Sequence, residues 1–288
     1  MDSAQLQALM MGKIGDMPNK ARRVAEYLLA NMREAAFRSI GEVADELRVS
    51  KAQLVRVARM LGFSGYSELK DCLQKAILEQ VNPAAMLAKA VNSQEDLPET
   101  IHRMEHANLD DTWTQLSPQN LTAFCDLVEN ARNLYCLGWG ISSLVAESFQ
   151  ARLRVMGLNA FLLKRGTLTL QEQVRSAGEQ DVLLVCELPS YVVEVTESVE
   201  AAHRQGTRVI SITDSPAAPV CRFADLSLFV SAASPTFGSS IIGPLFLMHV
   251  LTSVLAVQLG DRSKAALEEQ ARFLHDERIF HPVFGLRY

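Results

Sequence analysis

Apolar positions in the first eighty residues recur at helical spacing. From residue 133 onward they become short unbroken runs that alternate with helical stripes. The first regime predicts a helical head. Residues 18–36 (PNKARRVAEYLLANMREAA) place Val24, Ala25, Leu28 and Leu29 on one face behind Pro18, predicting a single helix. Residues 39–61 (SIGEVADELRVSKAQLVRVARML) predict two short helices hinged at Arg48 and Val49. Each opens on a capping pair, Ser39 with Glu42 and Ser50 with Gln53. In such a pair the hydroxyl takes an orphan N–H and the residue three on reaches back. Two capped starts so close suit a helix-turn-helix. Gly62 closes the second helix, and Ser67 opens another (SELKDCLQKAILEQV).

The second regime predicts strands at NLYCLGW, NAFLLK, DVLLVCEL, TRVISIT and LSLFVSA. Helices are expected between them (SSLVAESFQARLRVMG, TLQEQVRSAG, VEVTESVEAAHRQG), and a long apolar helix from about Ser239. Such alternation implies an α/β domain, a parallel sheet with helices on both faces. Its ligand belongs at the carboxyl ends of the strands. The expected division is a helix-turn-helix head at residues 1–80, a connector at 81–116 and an α/β body at 117–288. Pro83 and Pro98 interrupt the connector, which reads as charged, partly helical and semi-rigid. Ser117 and Pro118 then open a helix running to Ala131.

Residues 241–259 (IIGPLFLMHVLTSVLAVQL) carry no formal charge and reach membrane-spanning length. They also hold Pro244, His249, Thr252, Ser253 and Gln258 inside the strand–helix alternation. A helix buried against the sheet or a subunit partner is expected, with no membrane. The aromatic-rich tail DERIFHPVFGLRY is expected to pack on a neighbour or near a pocket.

With Leu54 at the centre of the buried stripe, Ala58 and Leu61 fall beside it, while Ala52, Gln53, Arg56 and Arg59 lie opposite. No carboxylate occurs between Val49 and Ser67. Arg forks onto guanine and Gln pairs with adenine in a major groove. Ser50 and Lys51, at the helix start, suit phosphate contacts. The competing reading is an ordinary solvated face. Net charge is −5 overall. Residues 1–80 hold 12 Lys and Arg against 10 Asp and Glu, and the remainder 16 against 23, so the positive excess sits with the reader. Five scattered cysteines without a C-x-x-C give no metal or disulfide framework, and no cofactor is expected. Reduced thiols and the absence of a signal peptide point to the cytoplasm.

The first strand of the body ends in Leu137-Gly138-Trp139-Gly140-Ile141-Ser142-Ser143. Gly138 and Gly140 permit close approach of the backbone, and Ser142 and Ser143 are expected at a helix N-terminus that favours an anion. A third glycine and an acid after the second strand are missing, so NAD is excluded. The alternative is a tight turn with an ordinary serine cap.

Head, connector and body together resemble the RpiR family of bacterial transcriptional regulators, which join an N-terminal helix-turn-helix to a C-terminal sugar isomerase (SIS) domain. The likeness spans nearly the whole chain. Its carriers are ARRVAEYLLAN, SIGEVADELRVS and VRVARMLGFSGYSELK in the head, and GWGISS, DVLLV, EAAHRQGTRVISITDSPAAPV and FADLSLFV in the body. The resemblance implies a cytoplasmic regulator of carbohydrate catabolism, a homodimer or homotetramer on a palindromic DNA operator, and strand order 2-1-3-4-5. It also implies a loop S-x-S-G-x-T after the third strand that cradles a sugar phosphate. Here that stretch is Glu187-Leu188-Pro189-Ser190-Tyr191-Val192. Three hydroxyls are replaced, proline removes an N–H, and a carboxylate is added. Lys164 and Arg165 offer compensating charge. The small-molecule effector is therefore expected to differ from an ordinary sugar phosphate. Either Glu187 accepts from its hydroxyls or an amine, or Glu187 points to solvent in a vestigial pocket. The competing function is a sugar-phosphate isomerase or lyase, with Glu187 as base and His203, His249, His275 or His281 as partner. Against it, His203 reads as a helix-end residue and His249 as a core histidine.

Overall fold

A computed structural model of the chain describes residues 3–93, 95–279 and 281. It forms two units. One comprises residues 1–101 with 215–217 and 234–238, the other residues 102–214, 218–233 and 239–288.

The first unit is helical: α1 (Ser3–Ile14), α2 (Asn19–Ala30), α3 (Met32–Phe37), α4 (Ile40–Glu46), α5 (Lys51–Met60), α6 (Tyr66–Val81) and α7 (Pro83–Val91). Leu6, Met10, Leu28, Leu54, Leu61, Leu69 and Leu73 are wholly buried in one core. Truncating one such leucine to alanine costs about 2–5 kcal/mol. The single helix expected over residues 18–36 is two. Asn31 leaves helical geometry (φ −119°, ψ 44°), and its side-chain amide donates to the Tyr27 carbonyl at 2.9 Å. The Asn31 backbone N–H donates to the same carbonyl at 2.9 Å, so both bonds close α2 at Asn31 before the chain restarts as α3. The prolines of the connector fall where one helix gives way to the next. Pro83 opens α7 and Pro98 sits in the first turn of α8 (Leu97–Gln115), so each starts a helix.

The second unit carries a five-stranded, all-parallel sheet, β1 (Leu134–Gly138), β2 (Ala160–Leu163), β3 (Val182–Glu187), β4 (Arg208–Thr213) and β5 (Leu226–Phe229), in the order β2-β1-β3-β4-β5. That is the 2-1-3-4-5 order the resemblance implied. The central strand is buried throughout, as a strand covered on both faces must be. Its residues alternate between two cores. Leu184 and Cys186 pack with Phe124 and Phe149, whereas Leu183 and Val185 pack with Val195 and Val199. The first core is closed by α9 (Pro118–Glu129), α10 (Ser142–Val155) and α13 (Ile242–Leu259), the second by α11 (Leu170–Val174) and α12 (Val193–Arg204). α14 (Asp261–Asp276), which the apolar pattern did not suggest, packs on α13. At the amino end of β3, Asp181 accepts from Arg132 Nε and Nη2, Asn133 Nδ2 and the Gly178 N–H, at 2.7–3.0 Å.

Among the described residues α13 is the one helix long and apolar enough to cross a membrane, and 44% of it is buried within the fold. One side packs on α9 and α10; Ile242, Val254 and Val257 are exposed on the other. His249, expected in the core, is also exposed, because it lies on that outward side. Of the tail, Phe280 and residues 282–288 lie outside the described residues.

Candidate functional site

Two surfaces carry the chemistry that the sequence singled out. The first is α5. Ser39 and Glu42 form a complete capping box on α4, with Glu42 N–H to Ser39 Oγ at 3.2 Å and Ser39 N–H to Glu42 Oε2 at 2.6 Å. On α5 half the box forms. Ser50 Oγ accepts from the Gln53 N–H at 3.2 Å, but the Gln53 amide does not return the bond. A neutral amide gains less than a carboxylate at the positive end of a helix. Between the helices Arg48 adopts φ +53°, and the Arg48 and Val49 N–H groups close the end of α4 on Asp45 and Ala44. This is a Schellman turn with arginine at the position that favours glycine. The end of α5 repeats it with Gly62 at φ +99°.

Leu54, Val57, Ala58 and Leu61 face the core, so α5 presents its other side outward. Ser50, Lys51, Ala52, Arg56 and Arg59 are exposed and Gln53 is half-buried. Arg59 Nε donates to the Ser64 carbonyl at 3.1 Å, which fixes its stem and leaves its terminal nitrogens outward. The polar surface opposite Leu54 is therefore assembled as expected from the helical spacing.

The second surface is the carboxyl edge of the sheet. A Cβ on Gly138 would lie 2.4 Å from the Ser142 carbonyl oxygen, so α10 can begin this close to β1 with glycine alone. Gly140 adopts φ +55° with open space around it. Both serines stand at the N-terminus of α10, and the alternative of an ordinary serine cap is overturned. Neither caps α10: Ile141 occupies the N-cap without a side-chain bond, and both serines lie inside the first turn. The N–H groups of Ser142, Ser143 and Leu144 turn back onto the carbonyls of Trp139, Gly140 and Ile141 at 3.1–3.2 Å. Ser143 Oγ donates to the Gly140 carbonyl at 2.7 Å. Ser142 is buried, and its hydroxyl bonds the Cys186 thiol, whose pKa burial pushes up to about 12. A tight first turn has thus consumed donors that an anion would use.

Glu187, at the end of β3, is 4% exposed, so the solvent-pointing alternative is overturned. Its Oε1 accepts the Val192 N–H at 2.9 Å and supplies the cap that Val192 itself lacks on α12. Its Oε2 is sealed from solvent with no hydrogen-bond partner. Burial raises its pKa to about 7, against the opposing pull of the Val192 N–H. Ser190 stands at φ +100°, a conformation suited to glycine. Tyr191 Oη donates to Asp214 Oδ1 at 2.8 Å.

At the neighbouring strand ends, Lys164 Nζ lies 3.1 Å from Glu147 Oε2, and Arg165 Nε lies 3.6 Å from Glu194 Oε2. The Arg165 guanidinium also sits 5.8 Å from the ring centre of Trp139, which is 39% exposed. Sequence reasoning passed over Trp139, although a bulky aromatic between two glycines at a strand end was the available signal. The suggested catalytic partners of Glu187 are not assembled. His203 is at the far end of α12, His249 faces outward on α13, and His275 lies beside Asp276 on α14. Among the described residues no group of three or more His, Cys, Asp or Glu is placed to hold a metal, and all five cysteines are free.

Residues 5–80 match the model of the helix-turn-helix domain of the rpiR family, and residues 127–257 match the SIS domain. The HTH-type transcriptional regulator HexR of Pseudomonas aeruginosa is 30% identical over 229 residues, 77% of each chain. An uncharacterized HTH-type transcriptional regulator of Clostridium perfringens is 23% identical over 264 residues, 88% of this chain and 94% of its own. Among solved structures, NanR of Vibrio vulnificus, complexed with ManNAc-6P, superposes with a TM-score of 0.62 at 22% identity, covering 94% of this chain and 98% of NanR. The sugar isomerase domain of an RpiR transcription factor from Sphaerobacter thermophilus gives 0.59 at 24% identity, over 62% and 99% of the two chains.

Proposed function

The chain belongs to the rpiR family of helix-turn-helix transcriptional regulators with a SIS domain, and from that premise we propose that it reads its operator through α5 and answers to a small-molecule effector at the carboxyl edge of the body sheet. The carrying observation is the outward, carboxylate-free face of α5 opposite Leu54. Arg56 and Gln53 read base edges, Arg59 reads a base edge or clamps the backbone, and Ser50 and Lys51 hold phosphates. Residues 1–80 serve as the reader, 81–116 as the connector and 117–288 as the body. The molecule works in the cytoplasm as a homodimer or homotetramer on a two-fold operator, since paired half-sites are read by paired heads. No membrane is involved.

The effector site comprises Gly138, Gly140, Ser142, Ser143, Glu187 and Ser190. NanR is complexed with a sugar phosphate. Here Glu187 is a buried carboxyl, Pro189 has no N–H and the first turn of α10 bonds to itself, which supports a ligand other than an ordinary sugar phosphate. The regulated genes belong to catabolism of carbohydrates or related small molecules. An effector shifts operator occupancy to the extent that it binds the DNA-competent arrangement differently.

Selection of duplexes from a random pool by the full chain, followed by a mobility shift at fixed salt, tests the reading. A two-fold consensus that Arg56→Ala binds more weakly is expected. Equal retention of all duplexes, or undiminished affinity of the variant, would refute it.

A further inference from the structure

Resting on the effector reading above, we propose that Trp139 and Arg165 form a binding subsite for a sugar acid, the indole stacking on the ligand's carbon skeleton and the guanidinium taking its carboxylate. Both residues stand at the carboxyl edge of the sheet, Trp139 in the turn after β1 and Arg165 just beyond β2. The indole is held out by a turn that requires Gly138 and Gly140 on either side of it, and remains 39% exposed. An indole so placed offers a flat apolar face on which the carbon skeleton of a sugar can stack. Arg165 lies 5.8 Å from its ring centre, within cation–π range.

The charge selects the ligand. A neutral sugar would leave the guanidinium beside the indole unused. A phosphate monoester, which a guanidinium also grips bidentately, keeps a third oxygen that needs further N–H groups. Those of Ser142, Ser143 and Leu144 are spent on the turn, and Pro189 has none. A carboxylate is planar with two oxygens, and one guanidinium satisfies it bidentately. Arg165 is available for this. Its contact with Glu194 is 3.6 Å, longer than a hydrogen bond, and its side chain is 62% exposed. Glu194 also accepts from the Leu170 N–H and sits in the first turn of α12, where the helix dipole favours its charge. It keeps compensation when Arg165 moves to the ligand.

The test uses full-length Trp113→Phe protein, in which Trp139 is the one remaining tryptophan. Its fluorescence is titrated with D-glucuronate, D-gluconate, D-glucose and D-glucose 6-phosphate. At least one acid is expected to perturb the emission saturably and to bind more tightly than both the neutral and the phosphorylated sugar. Arg165→Ala is expected to weaken that acid at least about tenfold, the loss of a charged hydrogen-bond pair. Calorimetry on Trp139→Ala should show a similar loss, with Trp139→Phe restoring most of it. Tighter binding of the 6-phosphate, no response to either acid, or acid binding indifferent to Arg165→Ala would overturn the proposal. Control of DNA binding fails separately: an acid that binds through Trp139 and Arg165 yet leaves operator affinity unchanged would count against the effector reading and not against the subsite.

Discussion

Replacing Glu187 with glutamine should change how the body's stability depends on pH. Glu187 is almost wholly buried, with one oxygen on the Val192 N–H and the other unpartnered, and burial lifts its pKa from 4.5 to about 7. A carboxyl whose pKa is raised on folding binds its proton more tightly in the folded state. Its favourable contribution is complete below the unfolded value, near 4.5, and is lost as pH rises through about 7. The interval corresponds to about 3 kcal/mol. Glutamine keeps an oxygen for the Val192 N–H and has nothing to ionise. The assay is urea unfolding followed by tryptophan emission, because Trp113 and Trp139 both belong to the second unit. The stability of wild type minus that of Glu187→Gln should fall by about 3 kcal/mol between pH 4.5 and 8.5, with most of the change from pH 5 to 7.5. Every other ionisable group is common to the two proteins and cancels in the difference. The Cys186 thiol, held near 12, does not titrate in this range. Parallel curves for the two proteins would refute the assignment of a sealed, ionisable carboxyl.

Three further outcomes follow from the geometry. Arg48→Gly relieves a positive φ at the turn of the reader and should stabilise the first unit by about 1 kcal/mol, read as a rise in its thermal midpoint; a fall would mean that Arg48 makes compensating contacts. Gly138→Ala forces a Cβ against the Ser142 carbonyl oxygen, and should cost the second unit about 1–3 kcal/mol or more in urea, whereas Gly140→Ala meets no atom and is strained by its φ alone. Arg56→Ala should weaken the selected operator by about 1–3 kcal/mol with unchanged thermal stability, since Arg56 is exposed; a matching loss of stability would place it in the fold and not on DNA.

Elements with strong periodicity were readable in advance. The buried stripe of α5 follows from Leu54, Ala58 and Leu61 alone, and the strands follow from their apolar runs. Strand order did not come from periodicity. Pairing of β1 with both β2 and β3 is a non-local event, and its source was the family resemblance. The misreadings share a cause, the orientation of single side chains. Ser142 and Ser143 stand at a helix N-terminus as read, but the alternative of an ordinary cap fails because the turn tightened around Gly138 and carried both serines into the helix. Nothing local says whether Glu187 faces solvent or folds under α12; that depends on a backbone N–H five residues away. Asn31 divides a helical pattern by leaving helical dihedrals at one residue, and α14 is amphipathic enough to have been found but follows a segment dominated by the apolar signal of α13.

The central claim is that the polar side of α5 enters the major groove. Guanine-methylation interference on a selected operator, run with wild type and with Arg56→Ala, tests it directly. One guanine per half-site whose N7 methylation blocks the wild type but leaves the variant's residual binding untouched is the predicted result. Identical interference patterns for the two proteins, or no sensitivity to N7 methylation in either, would contradict it.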